Sequence, residues 1–227
     1  MFNLKSNKNI LQEEIGENNY IDKESNTYVI EYSDEIKLNR RKTKIEEIGN
    51  KFAQINAFFL DYLNAYNIPT GFISTQKNKI ILNNHIRYSF EISVLNVINS
   101  RMSGLFNKNE GETLSIPIFE FCVGNSEDNF VNESHLISLD LCTNEEIKII
   151  KRICSKINAV LKSFFERRNC VLAEYKCSFG KDSEKIFVIN NFTPKSLMVL
   201  AENINAYKIN KPSEFRYYTE FIYNLIK

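Results

Sequence analysis

Apolar and polar positions change period several times along the chain, and each change marks an element. Thr27-Tyr28-Val29-Ile30-Glu31-Tyr32 is β-branched and aromatic, which predicts a short strand. Residues 1–26 before it are polar and carry few packing signals, and a basic, polar stretch from Lys37 to Lys44 follows it. From Ile45 the apolar side chains recur at Ile48, Phe52, Ile55, Phe59, Tyr62 or Leu63, and Tyr66, which puts them on one face of a helix. Ile68-Pro69-Thr70-Gly71 ends that helix, because proline disfavours helical backbone in the residue before it.

Residues 79–98 read as two strands or one long bent strand, with Ile80-Ile81-Leu82 and Phe90 to Ile98 as the apolar parts. Ser115 to Val123 is a further strand candidate. The strongest helix starts at Thr143, where Thr143-Asn144-Glu145-Glu146 forms a capping box that satisfies the first backbone donors. Its stripe is Ile147, Ile150, Ile153 or Cys154, Ile157, Val160 and Phe164, and it closes on Arg167-Arg168-Asn169. Cys170 to Phe179 then alternates: Val171, Ala173, Tyr175, Cys177 and Phe179 take one face, and Leu172, Glu174, Lys176 and Ser178 the other. Gly180 to Glu184 turns the chain into Lys185 to Phe192, completing a hairpin. Thr193-Pro194 predicts a helix start, and Phe215, Tyr218, Ile222 and Leu225 mark a last amphipathic helix. Hairpins segregated from helices predict an α+β fold.

Composition narrows the function classes. At 227 residues, 43% hydrophobic and 25% charged, the chain matches globular averages, which excludes a disordered or coiled-coil protein. Twenty-nine basic residues against twenty-eight acidic ones leave a net charge of +1, so neither nucleic acid nor a membrane surface is an expected partner. No apolar run approaches the roughly 18 residues that span a bilayer. Met1-Phe2-Asn3-Leu4-Lys5 lacks the apolar stretch of a signal peptide, and a cytoplasmic location is expected. Five cysteines, with no C-x-x-C pair, argue against both a disulfide scaffold and a zinc site, and two histidines are too few for a His-rich metal centre.

Motifs for dinucleotides, P-loop phosphates, zinc proteases and serine hydrolases are all missing. His135, beside Asn132-Glu133-Ser134, is a candidate base, with a helix-flanking surface role as its simpler account. Cys122 and Cys177 lie in predicted strands, where a buried, inert thiol is the default. Arg167-Arg168 at a helix end is most simply compensation of the helix dipole. The strand face Glu174, Lys176, Ser178 departs from a bland pattern, and reads either as a solvated face or as the floor of a polar cleft.

The order of segments resembles the SAICAR synthetase family, the purine-pathway ligases that join aspartate to a carboxyaminoimidazole ribotide using ATP. The carrying residues are Ile45 to Ser74 with "NAYNIPTGFI", Phe90 to Asn96, Glu110-Gly111-Glu112-Thr113-Leu114 with Pro117 and Phe119-Glu120-Phe121, and Val131-Asn132-Glu133-Ser134-His135. The 143–168 helix, Glu174 to Gly180 and Thr193-Pro194 complete a collinear match over residues 27–200. The resemblance implies two lobes, a small N-terminal antiparallel-sheet domain (1–92) and a larger α+β domain (93–227), with ATP in the cleft between them.

It also implies a site, from which this chain departs. Glu14-Ile15-Gly16-Glu17-Asn18 stands where the family has a lysine-bearing glycine loop, with Lys5, Lys8 or Lys23 as alternative phosphate contacts. Paired lysines become Asn83-Asn84, a substrate arginine becomes Leu95 beside a retained Asn96, and a G-S pair becomes Ser100-Arg101. A lysine becomes Gly124, leaving Asn125, and Asp128 keeps an aspartate. Lys176 is retained, but the carboxylates that hold magnesium in the family fall at Ser178 and Asn190; Asn191, Lys195 and Met198 replace further charged groups. ATP brings about four negative charges and its magnesium needs carboxylate and phosphate oxygens, so ordinary ligase chemistry is not expected.

The expectation is a pseudoenzyme or repurposed binding or regulatory protein, with a divergent ATP-dependent amide-forming ligase of altered substrate as the alternative. Lys176 and Asp128 are the catalytic candidates, and Glu91, Asn96, Arg101 and Asn125 the ligand-binding ones, with Arg87 and Lys195 as further cations for an anionic ligand. No metal ligand and no cofactor is expected, ATP and magnesium entering only with the ligase alternative. Expected partners are an intact ligase or another biosynthetic protein and a small anionic ligand; a homo-oligomer stays open.

Overall fold

The structure, a computed structural model, describes residues 17–38, 41–124, 129–183, 185–190 and 192–227. In the N-terminal lobe, β1 (Glu17–Asp22), β2 (Thr27–Tyr32), β5 (Phe72–Gln76) and β6 (Lys79–Asn83) form an antiparallel sheet in the order β1-β2-β6-β5. The separate hairpin β3 (Glu35–Leu38) and β4 (Arg41–Lys44) lies in the basic stretch that had carried no strand signal, and β1 falls in the polar N-terminal segment. Both are largely exposed, so no alternating apolar pattern announces them.

Helix α1 (Ile48–Ala65) buries Phe52, Ile55, Phe59 and Leu63, as its stripe predicts. It begins after Glu47, which has left-handed backbone (φ 60), so Ile45 joins the core from outside the helix. Asp34 caps the first turn from across the chain, its Oδ1 accepting from the Gly49 backbone N–H at 3.0 Å.

The stretch 79–98 resolves into two strands in different sheets, β6 and β7 (Ile86–Val97). After β7 come α2 (Ser100–Phe106), β8 (Thr113–Val123), β9 (Phe130–Val131), α3 (Glu133–Ser138), α4 (Asn144–Glu166), β10 (Val171–Asp182), β11 (Lys185–Asn190), β12 (Leu197–Ala201), β13 (Ile204–Asn205), a 3-10 turn (Ala206–Lys208) and α5 (Pro212–Leu225). The second sheet runs β13-β12-β10-β7-β8-β9, with β11 also paired to β10. The expected lobe boundary at 92/93 lies inside β7, which pairs along its length within this second sheet.

Helix α4 carries its predicted capping box: the Glu146 backbone N–H donates to Thr143 Oγ1 at 3.2 Å, and Thr143 N–H to Glu146 Oε2 at 2.8 Å. Its buried stripe packs on the sheet face of Ile92, Val94, Tyr175, Cys177 and Phe179, and Tyr175 donates to the Cys154 carbonyl at 2.8 Å. At the helix end, Arg168 donates to the Phe164 carbonyl at 3.0 Å and stacks over that ring.

Three local expectations are corrected. A bulge between Leu172 and Glu174 reverses the alternation at the start of β10, so Val171 is exposed and Leu172 buried. The hairpin turn does not begin at Gly180, since β10 continues to Asp182; Gly180 instead lets the His85 ring approach, because a Cβ there would lie 2.6 Å from the ring. Thr193-Pro194 opens no helix. The backbone makes one turn, with Ser196 and Leu197 N–H both donating to the Thr193 carbonyl at 2.9 Å, and then enters β12. Strand pairing wins because it buries Leu197 and Val199 completely.

Candidate functional site

The site is a polar strip on the face of the second sheet turned away from α4. Antiparallel register sets Ser178 opposite Glu91 and Lys176 opposite Ser93, while β8 places Cys122 opposite Glu91 and Glu120 opposite Ser93. Directly opposed residues share a face, so three strands present Glu91, Ser93, Glu120, Cys122, Glu174, Lys176 and Ser178 together. This supports the cleft-floor reading of Glu174, Lys176 and Ser178 over a freely solvated one, because Ser93 and Ser178 are almost wholly buried.

Most groups of the strip are engaged with one another. Ser178 Oγ donates to Glu91 Oε1 at 2.6 Å, and Arg87 Nη2 donates at 3.1 Å to both that carboxylate and Ser178 Oγ. Tyr28 of β2 lies beside the same guanidinium: burial pushes its phenol pKa up, and the Arg87 charge pulls the other way. The strip therefore begins where the two sheets meet. Ser93 Oγ donates to Glu174 Oε1 at 2.5 Å, and Tyr207, on the 3-10 turn, donates to Glu174 Oε2 at 3.3 Å. Burial and the Glu174 carboxylate both raise the Tyr207 pKa, so its phenol stays protonated.

Arg101 reaches the strip from α2, with Nη2 donating at 2.5 Å to both oxygens of Glu120 and the guanidinium 4.2 Å from the centre of the Phe130 ring. The Lys176 ammonium has no hydrogen-bond or ion-pair partner among the described residues. The Cys122 thiol is pushed up to about 11, by burial and then by Glu120, Glu91 and Glu174 against the opposing pull of Lys176. It is no thiolate at neutral pH.

The predicted site residues are only partly brought together. Lys176, Glu91 and Arg101 line the strip. Asn96 sits on the opposite face, 3% exposed, and exchanges two amide hydrogen bonds with Asn158 of α4 at 2.8 and 2.9 Å. That amide is spent inside the core. Asp128 and Asn125 lie outside the described residues. Lys195 packs over the Phe52 ring at 5.5 Å. His135 takes its simpler account, its Nδ1 accepting from the Asn132 backbone in the capping of α3. Ser93, Glu120 and Tyr207 were missed; the first two follow from alternation once β7, β8 and β10 are set in register, whereas Tyr207 comes from a turn without pattern.

A divalent ion does not fit the described part of the strip. No group of three or more histidine, cysteine or acidic side chains able to hold a metal occurs among the described residues. Ser178, at one magnesium position that the resemblance implies, is tied to Glu91 and Arg87, so a guanidinium already occupies the neighbourhood.

The comparisons agree with this architecture. The sequence profile of the SAICAR synthetase family matches residues 17–213. The phosphoribosylaminoimidazole-succinocarboxamide synthase of Streptococcus thermophilus is 33% identical over 158 residues, covering 68% of this chain and 67% of that one. The same enzyme of Caldanaerobacter subterraneus subsp. tengcongensis is 28% identical over 172 residues, covering 74% and 73%. A crystal structure of the synthase from Ehrlichia chaffeensis superposes with a TM-score of 0.84 at 24% identity, covering 95% of this chain and 97% of that one, which shows a shared fold. With profile and relatives in agreement, the chain belongs to the SAICAR synthetase family.

Proposed function

We propose that this chain uses the family's scaffold as a binding or regulatory protein and does not run the ATP-driven ligation that the resemblance implies. One observation carries the reading: the Arg87 guanidinium sits 3.1 Å from both Glu91 Oε1 and Ser178 Oγ, where catalysis with Mg-ATP calls for carboxylate oxygens open to a metal. Two further substitutions support it. Leu95, which replaces a substrate arginine in the resemblance, is fully buried and packs with Ile98 and Met102. Met198, which replaces a further arginine in the resemblance, packs against the main core. Both positions now serve packing, and a single lost donor to a developing charge typically costs about 3 kcal/mol of transition-state stabilisation. Losses of this kind do not add simply, but together they remove most of a rate enhancement.

The test is turnover and titration of the full chain with Mg-ATP, aspartate and the carboxylated imidazole ribotide. No ADP release above background and no saturable heat with Mg-ATP are expected. The second reading is a divergent ligase with an altered acceptor or amine, favoured by Lys176, a cation without a partner among the described residues. ADP release with any carboxylate and amine pair, abolished by Lys176→Ala, would establish it and overturn the first.

A further inference from the structure

Resting on that reading, we infer that Arg87 is a resident counter-cation: its guanidinium holds the place between Glu91 and Ser178 that a divalent ion would need, so the strip takes an anionic ligand without a metal. The two oxygens on offer, Glu91 Oε1 and Ser178 Oγ, are only 2.6 Å apart and joined by a hydrogen bond, and both meet the same Nη2 at 3.1 Å. Their lone pairs are aimed at donors. A hard cation binds oxygens at roughly 2.0–2.6 Å and cannot approach these without displacing the guanidinium.

Charge makes the same point. Arginine does not deprotonate in proteins, so a dication would meet a permanent positive charge in direct contact with its first ligand. Arg87 is not a loose surface side chain. It projects from the same face of β7 as Glu91, four residues away, with 15% of its side chain exposed, and Tyr28 of the first sheet stands beside it. The guanidinium thus sits near the meeting of the two sheets and neutralises Glu91. What the strip leaves for an incoming anion is Lys176, two residues before Ser178 on β10.

Manganese titration followed by electron paramagnetic resonance tests this on the full chain, in wild type, Ser178→Glu and the double variant Arg87→Met/Ser178→Glu. Wild type is expected to leave the free-ion signal unchanged up to millimolar manganese. Ser178→Glu should stay equally silent although it adds a carboxylate, because arginine takes the new group in a two-pronged pair. The double variant, with two carboxylates and no guanidinium, is expected to bind manganese about tenfold more tightly or better. Micromolar binding by wild type or Ser178→Glu that disappears on Glu91→Gln overturns the inference, as does a folded double variant no better than wild type. If the double variant fails to fold, Ser178→Glu decides alone: silence supports the inference and binding overturns it. ADP release without manganese binding would overturn the functional reading and leave this one, whereas manganese binding without ADP release does the reverse.

Discussion

Glu146 of α4 accepts from Lys181 Nζ at 2.8 Å through one oxygen and from the Thr143 backbone at 2.8 Å through the other. Burial opposes its charge, but the bonds from Lys181 and Thr143, with the Tyr88 phenol nearby, outweigh that and hold the carboxyl down at about 2. The folded chain therefore binds this proton less readily than the unfolded one, whose reference is 4.5. The stability it contributes is present above the unfolded value and is lost as pH falls towards 2. Glu146→Gln should cost about 1 kcal/mol at pH 7 after allowance for solvent screening. Melting curves of the two proteins should converge as pH falls below 4; a gap unchanged at low pH would show that charge is not its cause. Residue by residue, the strip was half legible. The alternation of Glu174, Lys176 and Ser178 shows in the sequence, but Asn96 looked like a ligand group and proved to be a core amide, because strand phase alone does not say which face a helix will cover.

At the level of elements, α1 and α4 were readable because each buries one stripe against a sheet, and α4 also announces its start chemically. The hairpin β3–β4 was not, since its residues pair by backbone while most of their side chains face solvent. The Thr193-Pro194 turn was misread for a different reason: its local preference for a helix start yields to β12, whose burial beside β10 is a long-range effect. The contact between β7 and α4 gives a test of the opposite kind. Asn96→Leu strands the Asn158 amide in the core and should cost about 2 kcal/mol, while Asn96→Leu/Asn158→Leu should recover most of it, because removing both partners leaves nothing unsatisfied. Urea unfolding of the two variants and wild type measures this, and equal loss in single and double variants would contradict it.

Across the whole molecule the two lobes are bound into one body. Gly71 N–H donates to the Val188 carbonyl at 2.9 Å and Val188 N–H to the Pro69 carbonyl at 3.0 Å, stitching β11 to the first lobe. From the other end of the chain, α5 packs Phe215 edge-on to Phe52 of α1, pairs Glu220 with Lys51, and lets Tyr223 donate to Gln54 at 2.5 Å. Calorimetry should accordingly show a single transition with equal calorimetric and van't Hoff enthalpies; two separated peaks would mean lobes that fold alone. The same economy of connections reaches the strip. β10 gives its outer edge first to β12 and then to β11, and between them the Lys176 backbone N–H donates to Ser196 in the 193–196 turn at 3.0 Å. The Lys176 ammonium of the strip is thereby indexed by a loop, so insertions or replacements in that short segment offer descendants of this chain a route to altered chemistry on the strip with every residue of the floor left as it is.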